Sequence, residues 1–568
     1  MTPPSLAPRF RSPRALAWCA TLADRRQAGA QAVTGALMQT YLKAVGVSMR
    51  SRMTALSVEG ALPTEVTEEV VGLGQRLSTL SPIEACYRLG TLYTGLQAPN
   101  LRAANGAYYT PVAVAQKLVD QATATGVDWS TARVWDPACG SGVFLLAVVE
   151  RMAAAQPSLD LATLASRLHG MEQDPVAAAL ADQFLAVQLA ALSQAQGIEV
   201  ATLVQVGNTL TDAPDRTYDL VIGNPPYGRL TLTPALRDRY ARSLFGHANL
   251  YGLFTDLALR HLDRQGVLAF VTPTSFLGGQ YFCALRQLLA TLAPPTQLTF
   301  LADRQGVFED VLQETLLTTY RFGDAAHEVQ VHQLIFTDER TLAQTALGTT
   351  AAPKDGTPWL FPRQAEDARL LQRAAQMPDR LTDLGYRVST GPLVWNRHKA
   401  QLRVVPETGT FPIVWADAVK AGQLDLDAAQ RVQGRHVHVG TQRHLLTRTA
   451  GVVLQRTTAK EQPRRLVAAV LPPSLIEAHG GVVVENHLNL LLPERPSALA
   501  PELLAWLLGT AVMDRLFRCV SGSVAVSAYE LQAVPLPPQA WLESLGQAMA
   551  DGLSDADAQA RLAAYYEP

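Results

Sequence analysis

The residues Asn224-Pro225-Pro226-Tyr227 combine types that could act on a planar amino group. Two adjacent prolines lock the backbone and remove two N–H donors. The Asn224 side chain and the Pro225 carbonyl are then left as paired acceptors facing outward. An exocyclic amino nitrogen on an aromatic ring is a poor nucleophile, because its lone pair is delocalised into the ring. Acceptors holding both of its N–H bonds would push it toward a tetrahedral geometry and stabilise the charge that develops as it attacks. Tyr227 offers a ring face on which a flat substrate could stack. No covalent nucleophile is required. The bland alternative is a tight surface turn, which the apolar run Tyr218 to Ile222 just before it argues against.

A second loop, Asp136-Pro137-Ala138-Cys139-Gly140-Ser141-Gly142, lies between a short apolar run and a helical pattern. A strand, glycine turn and helix let backbone approach a ligand closely at the carboxyl end of a sheet. Position 145 is Leu, so this is not the dinucleotide pattern GxGxxG, and no Gly-Lys-Ser/Thr makes it a P-loop. Asp136 could accept from the ammonium of an amino-acid-like ligand. Glu172 follows the next apolar run and could take both ribose hydroxyls of a nucleoside. Gly207-Asn208, after the third, could meet an adenine edge. Each glycine alone could be a turn residue. The order of the three features makes S-adenosylmethionine the best-fitting ligand. Cys139, inside this loop, reads as a packing residue and not as an attacking thiol.

The elements that must hold these loops alternate. Strands are expected at Arg133 to Trp135, Leu168 to Met171, Thr202 to Val206, Tyr218 to Ile222, Gly266 to Val271, Leu298 to Ala302 and Thr315 to Arg321. Helices are expected at Val143 to Ala155, Pro175 to Gln194 and Leu250 to Leu262. That alternation predicts an α/β fold with a doubly wound, mostly parallel sheet. Ahead of it, residues 1–105 read as a helical region ending in a linker near Pro99. The catalytic domain is expected at 106–325. Residues 326–359 read as a loop-like linker, with Pro353, Gly356 and Pro358. Residues 360–568 read as an α+β domain of short Val-rich strands, a helical segment at Pro501 to Val520 and a rigid exit at Val534-Pro-Leu-Pro-Pro538.

The chain of 568 residues is long enough for two or three domains, and its composition is that of an ordinary globular protein. Its five cysteines lie far apart with no CxxC pair, which excludes a disulfide scaffold and a cysteine-rich zinc site and suits a reducing cytoplasm. No metal is expected. No apolar run approaches the ~18 residues a membrane span needs. The apolar stretch Ala15 to Ala23 imitates a secretory signal, but Asp24, Arg25 and Arg26 follow it directly, so it reads as helix.

The formal net charge of −2 is unevenly spread. Residues 1–60 hold eight Lys/Arg and two Asp/Glu, and residues 391–470 hold twelve against five, with four of the eleven histidines. Charge runs are usually solvated faces. Two basic blocks on an acidic body, flanking the loops above, suggest a polyanion groove.

At these residues the chain resembles the gamma class of DNA adenine-N6 methyltransferases, of the type II and type IIG-like restriction-modification kind. The likeness starts at Gly106-Ala-Tyr108-Tyr109-Thr110-Pro111 and runs through the two loops, Asn249-Leu-Tyr-Gly-Leu-Phe254 and Gly266 to Pro273, to Gly306-Val-Phe308-Glu. It extends more loosely to Gln455-Arg-Thr-Thr, Glu485-Asn-His-Leu-Asn489 and Gly522 to Pro537. The resemblance implies a Rossmann-like catalytic domain and a C-terminal target-recognition domain. It implies S-adenosylmethionine contacts from Tyr108, Thr110, Pro111, Asp136, Pro137, Ala138, Gly140, Gly142, Glu172, Gln173, Asn208 and Asn224. It implies catalytic roles for Asn224, Pro225, Pro226 and Tyr227, with Phe308 stacking on a flipped base. Position 208 is Asn where many members carry Asp; its amide oxygen can still accept from the adenine amino group.

The expected substrate is double-stranded DNA, and the expected state is a monomer with a separate restriction endonuclease as the partner chain. Arg397, Lys399, Arg435, Arg443, Arg456, Lys460, Arg464 and Arg465 are the candidate DNA contacts. Protein-glutamine and ribosomal-RNA methyltransferases share a similar loop but need no further 240 residues after it. Cytosine-N4 methylation more often resembles a Ser-Pro-Pro loop. A fused nuclease would need a Glu-x-Lys triplet before residue 106, and there is none. A non-enzymatic DNA-binding regulator would have no use for the Asn-Pro-Pro-Tyr geometry.

Overall fold

Short apolar runs ending in Asp, Glu or Gly become strands, and the small residues after them become the turns that hold the site. The computed structural model describes residues 12–22, 26–50, 62–98, 109–301, 314–323, 328–337, 342–427, 434–458, 462–520 and 525–567. The chain divides into two units. One comprises residues 1–273, 284–346 and 352–355; the other comprises 274–283, 347–351 and 356–568.

The first unit is built on a nine-stranded sheet. Its strands are β1 (Val134–Asp136), β2 (Leu168–Glu172), β3 (Val204–Val206), β4 (Tyr218–Gly223), β5 (Leu262–Pro273), β6 (Pro295–Leu301), β7 (Thr315–Arg321), β8 (Glu328–Phe336) and β9 (Leu342–Ala351). Their order across the sheet is β9-β8-β6-β7-β5-β4-β1-β2-β3. Strands β1 to β5 are mutually parallel neighbours, in registers such as Trp135 beside His169 and Val221. Their carboxyl ends at Asp136, Glu172, Val206 and Gly223 therefore share one edge, where ligands bind in open α/β sheets.

The sheet is mostly parallel as expected, with one antiparallel insertion, and one expectation needs correction. The sheet is mixed beyond β5, because β7 inserts antiparallel between β5 and β6. Its extent matches the expected Thr315 to Arg321, but an apolar run looks the same in either direction. The stretch expected as a linker carries β8 and β9 instead. Both are half polar and partly exposed, which hid them.

Helices α1 (Pro13–Thr21), α2 (Arg26–Val45), α3 (Thr64–Leu77) and α4 (Pro82–Leu96) precede the sheet, followed by α5 (Val112–Ala124), α6 (Val143–Ala155), α7 (Pro175–Gln188) and α8 (Leu250–Arg260). The long helix expected to Gln194 breaks after Gln188, and a short one resumes at Ala190. The N-terminal helices share one hydrophobic core with the sheet's helices. The Cys86 thiol of α4 donates to the Ser141 carbonyl at 2.9 Å, and a Cβ at Gly90 would lie 2.6 Å from the Ser141 hydroxyl. The helical region is thus packed directly on the glycine loop.

The second unit is α+β. A four-stranded sheet joins Tyr386–Thr390, Leu488–Pro493, Gly451–Gln455 and Ala468–Leu471, and a five-stranded sheet carries Thr410–Val414, His436–His438 and Val482–Val484. The expected helix at Pro501 to Val520 is two, Pro501–Leu508 and Ala511–Val520, parted at Gly509-Thr510. The proline-rich exit leads into helices Gln539–Ala550 and Asp555–Tyr566, and the Tyr566 hydroxyl donates to the Pro535 carbonyl at 2.8 Å. No single helix among the described residues is long and apolar enough to cross a membrane.

Candidate active site

The two loops of chemical interest meet at one cavity of about 320 Å³ at the carboxyl edge of the parallel strands. Its wall includes Thr110, Pro137, Ala138, Gly140, Glu172, Gln173, Asn208, Asn224 and Pro226.

The glycine loop is held from below and from the side. Gly142 caps α6 at φ +101°, and a Cβ there would lie 2.9 Å from Ala181 Cβ on α7. Gly140 has φ +54°, and its Cβ would lie 2.8 Å from the Tyr109 ring. Both positions therefore need glycine. The Glu172 carboxylate fixes the turn: Oε2 accepts the Gly140 N–H at 3.0 Å and Oε1 accepts the Asp174 N–H at 2.9 Å. Burial holds the Glu172 carboxyl above its ordinary range, against the lowering effect of those N–H donors. Asp174 caps α7 by accepting the Val176 N–H at 2.8 Å, and its other oxygen accepts the Tyr93 hydroxyl at 2.8 Å.

Asp136 sits beneath the cavity wall and not in it. It is fully buried, its Oδ1 accepts the Ala138 N–H at 3.1 Å, and its Oδ2 has no hydrogen-bond partner among the described residues. Burial, with Glu172 nearby, pushes its carboxyl well above the usual range. A Cβ on Gly223 would lie 2.6 Å from Asp136 Oδ1, so the glycine before Asn224 is what lets β1 and β4 lie this close.

Asn224 is clamped through both ends of its amide. Its Nδ2 donates to Thr110 Oγ1 at 3.1 Å, and its Oδ1 accepts the Tyr227 hydroxyl at 2.7 Å. The Tyr227 ring packs edge-on against Tyr251 on α8, with centroids 6.0 Å apart. Its hydroxyl faces Asn224, so it positions the amide as well as offering a ring. Pro225 is buried, and Pro111 caps α5 outside the cavity wall. Asn208 differs from expectation: its Oδ1 accepts the Leu210 N–H at 3.1 Å, capping a short helix, so only part of its acceptor capacity is left for a ligand. Tyr108 and Phe308 lie outside the described residues.

Sequence reasoning missed Tyr93, Thr94 and Gln97, which bring the N-terminal helices into the cavity wall, and Leu250 and Phe254 on α8. The i,i+4 spacing of Tyr93 and Gln97 at the end of an apolar helix was the available signal. Replacing Tyr93 with Phe removes the donor to Asp174, a bond worth ~1 kcal/mol. The expected result by calorimetry is about fivefold weaker cofactor binding.

Among proteins of known family, the Eco57I restriction-modification methylase profile matches residues 177–308, across β3, β4 and the Asn-Pro-Pro-Tyr loop. The type II methyltransferase M.BsuBI of Bacillus subtilis is 27% identical over 335 residues, covering 57% of this chain and 66% of the relative. M.PstI of Providencia stuartii is 25% identical over 338 residues, covering 58% and 66%. Over these residues the chain is similar to restriction-modification methylases. It spans about two thirds of the length of these relatives. The type IIL restriction-modification enzyme MmeI, solved in complex with DNA, shares the fold at TM-score 0.52 and 14% identity, over 93% of this chain and 86% of that one.

S-adenosyl-L-methionine is the cofactor that this cavity fits. The wall combines an acidic group after β2, a glycine turn after β1 and a polar cap after β3, which suit a ribose, an amino-acid tail and an adenine in turn. The buried Asp136 Oδ2, without a hydrogen-bond partner among the described residues, is a polar atom lying under the glycine turn.

In the second unit, Arg397, Lys399 and Arg443 are exposed, and Lys399 lies over the Trp395 ring. Gln401 donates to the His438 carbonyl and to Gln442 Oε1, both at 3.1 Å, which ties the 397–401 segment to the 438–443 segment. Arg435 pairs with Asp427 at 3.3 Å, and Arg456 donates to the Asn486 carbonyl. Lys460 lies outside the described residues. Arg465 is a correction: it is 2% exposed, its guanidinium lies 5.9 Å over the Phe517 ring, and Nη1 donates to the Thr458 carbonyl. A side chain so enclosed holds the fold together and does not face DNA.

Proposed function

We propose that this methylase transfers a methyl group from S-adenosylmethionine to the N6 amino group of adenine in duplex DNA. The observation that carries this reading is the Asn224 amide, clamped between Thr110 and Tyr227 on the wall of the cofactor cavity. The bound cofactor supplies the electrophilic methyl group. Asn224 Oδ1 and the Pro225 carbonyl accept the two N–H bonds of the target amino group, which makes its lone pair available. Duplex adenine carries that group inside a base pair, so the base must leave the stack at a cost of ~a few kcal/mol. Phe308 is proposed to stack on it. The 360–568 region is proposed to recognise the target, with Arg397, Lys399, Arg435, Arg443, Arg456, Lys460 and Arg464 among the contacts. Most would meet phosphates, because about half to two thirds of protein–DNA hydrogen bonds do. A separate restriction endonuclease is the proposed partner chain.

The test is incubation with duplex DNA and S-adenosylmethionine, followed by nucleoside mass spectrometry. N6-methyladenine is the expected product. N4-methylcytosine alone would move the assignment to cytosine, and methylated protein with unmodified DNA would remove DNA as substrate.

A further inference from the structure

The second unit holds another cavity, of about 350 Å³, lined by Arg363, Arg464, Arg515 and Arg518 together with Asp367 and Asp514. Both carboxylates are buried and engaged by backbone. Asp367 accepts the N–H groups of Arg363 and Gln364 at 3.1 and 3.0 Å, and the Arg515 guanidinium at 3.1 Å. Asp514 accepts the N–H of Leu466 at 3.0 Å, that of Arg465, and the Arg518 guanidinium at 2.8 Å. These bonds fix two loops, one carrying Arg363 and one carrying Arg464, against a single face of the helix Ala511–Val520. On that face Asp514, Arg515 and Arg518 fall at helical spacing.

The acids therefore serve to aim the arginines. Among the described residues that line the cavity, four guanidinium groups stand beside two carboxylates. A preorganised set of guanidinium forks matches the oxygens of a phosphate. Arg464 also lies near the end of the basic block of residues 391–470, so the cavity adjoins that charge. We infer that this cavity holds a phosphate of a nucleic-acid backbone. This rests on the DNA reading above and adds Arg363, Arg515 and Arg518, which lie outside the basic block, to the DNA-binding residues.

The test uses the full chain and a fluorescent random-sequence duplex, titrated across a salt series. Each phosphate contact contributes about 0.9 to the slope of log affinity against log salt. The variant R363Q/R464Q is expected to bind roughly tenfold more weakly with a slope shallower by about 1, while S-adenosylmethionine binding by calorimetry is unchanged. Should the double variant not fold, R464Q alone is expected to shift the slope in the same direction. An unchanged slope in a folded variant overturns the inference and leaves the DNA reading standing. Binding of inorganic pyrophosphate to the wild type that the variant loses, with the DNA slope unchanged, would assign the cavity to a free anion and overturn the nucleic-acid source. A wild-type chain that binds no duplex overturns the DNA reading itself, and this inference with it.

Discussion

Asn224→Ala is expected to lower the methyl-transfer rate by about 10²–10³ while cofactor and DNA still bind. The amide supplies the side-chain carbonyl acceptor of the Asn-Pro-Pro-Tyr loop, and it is held at both ends. Removing a preorganised group of this kind typically costs ~10²–10³ in rate. The loss should fall on kcat, because the acceptor matters most as charge develops on the nitrogen. Single-turnover transfer of labelled methyl groups to duplex DNA measures it directly. Tyr227→Phe removes only the hydroxyl that orients Asn224 Oδ1, so a smaller fall in kcat is expected. Equal loss of cofactor affinity and rate in Asn224→Ala would indicate a binding role in place of a catalytic one.

Glu172→Ala should have the second-largest effect, on cofactor binding. The carboxylate accepts the N–H groups of Gly140 and Asp174, one in the glycine turn and one at the cap of α7. It also lines the cavity, where it is proposed to take the ribose hydroxyls. Charge-assisted hydrogen bonds are worth ~1.5–3 kcal/mol, so affinity for S-adenosylmethionine should fall about 10- to 150-fold. Glu172→Gln keeps an acceptor and should lose less. Isothermal titration calorimetry distinguishes the two. Unchanged affinity in Glu172→Ala would mean that the carboxylate serves the fold alone.

The site was legible in the sequence where backbone chemistry forces residue identity. Gly140 and Gly142 adopt positive φ beside Tyr109 and Ala181, and the two prolines admit few conformations, so these loops announce themselves. Helix α6 matches its expected span from Val143 to Ala155, because the turn before it and the apolar run within it agree. Strand direction was not legible: the Thr-, Leu- and Tyr-rich run Thr315 to Arg321 reads as a strand whichever way it runs. The sheet's outer strands were hidden by alternating polar residues such as Gln330 and His332, which fit a partly exposed edge. The role of α4 was hidden for a different reason. Tyr93 and Gln97 offer no more than an i,i+4 spacing, and packing shows that they line the cavity. Arg464 and Arg465 are neighbours of one type, yet one lines a cavity and the other is enclosed against Phe517. Charge counting treats them alike.

This chain is proposed to methylate adenine at a defined DNA sequence through Asn224. Expressing the wild type and Asn224→Ala in a methylation-free host, then reading the genome by long-read sequencing, tests it most directly. The account predicts one short motif carrying N6-methyladenine in the wild type and loss of that signal in Asn224→Ala. Methylation on cytosine only, or an adenine signal that survives in Asn224→Ala, would contradict it.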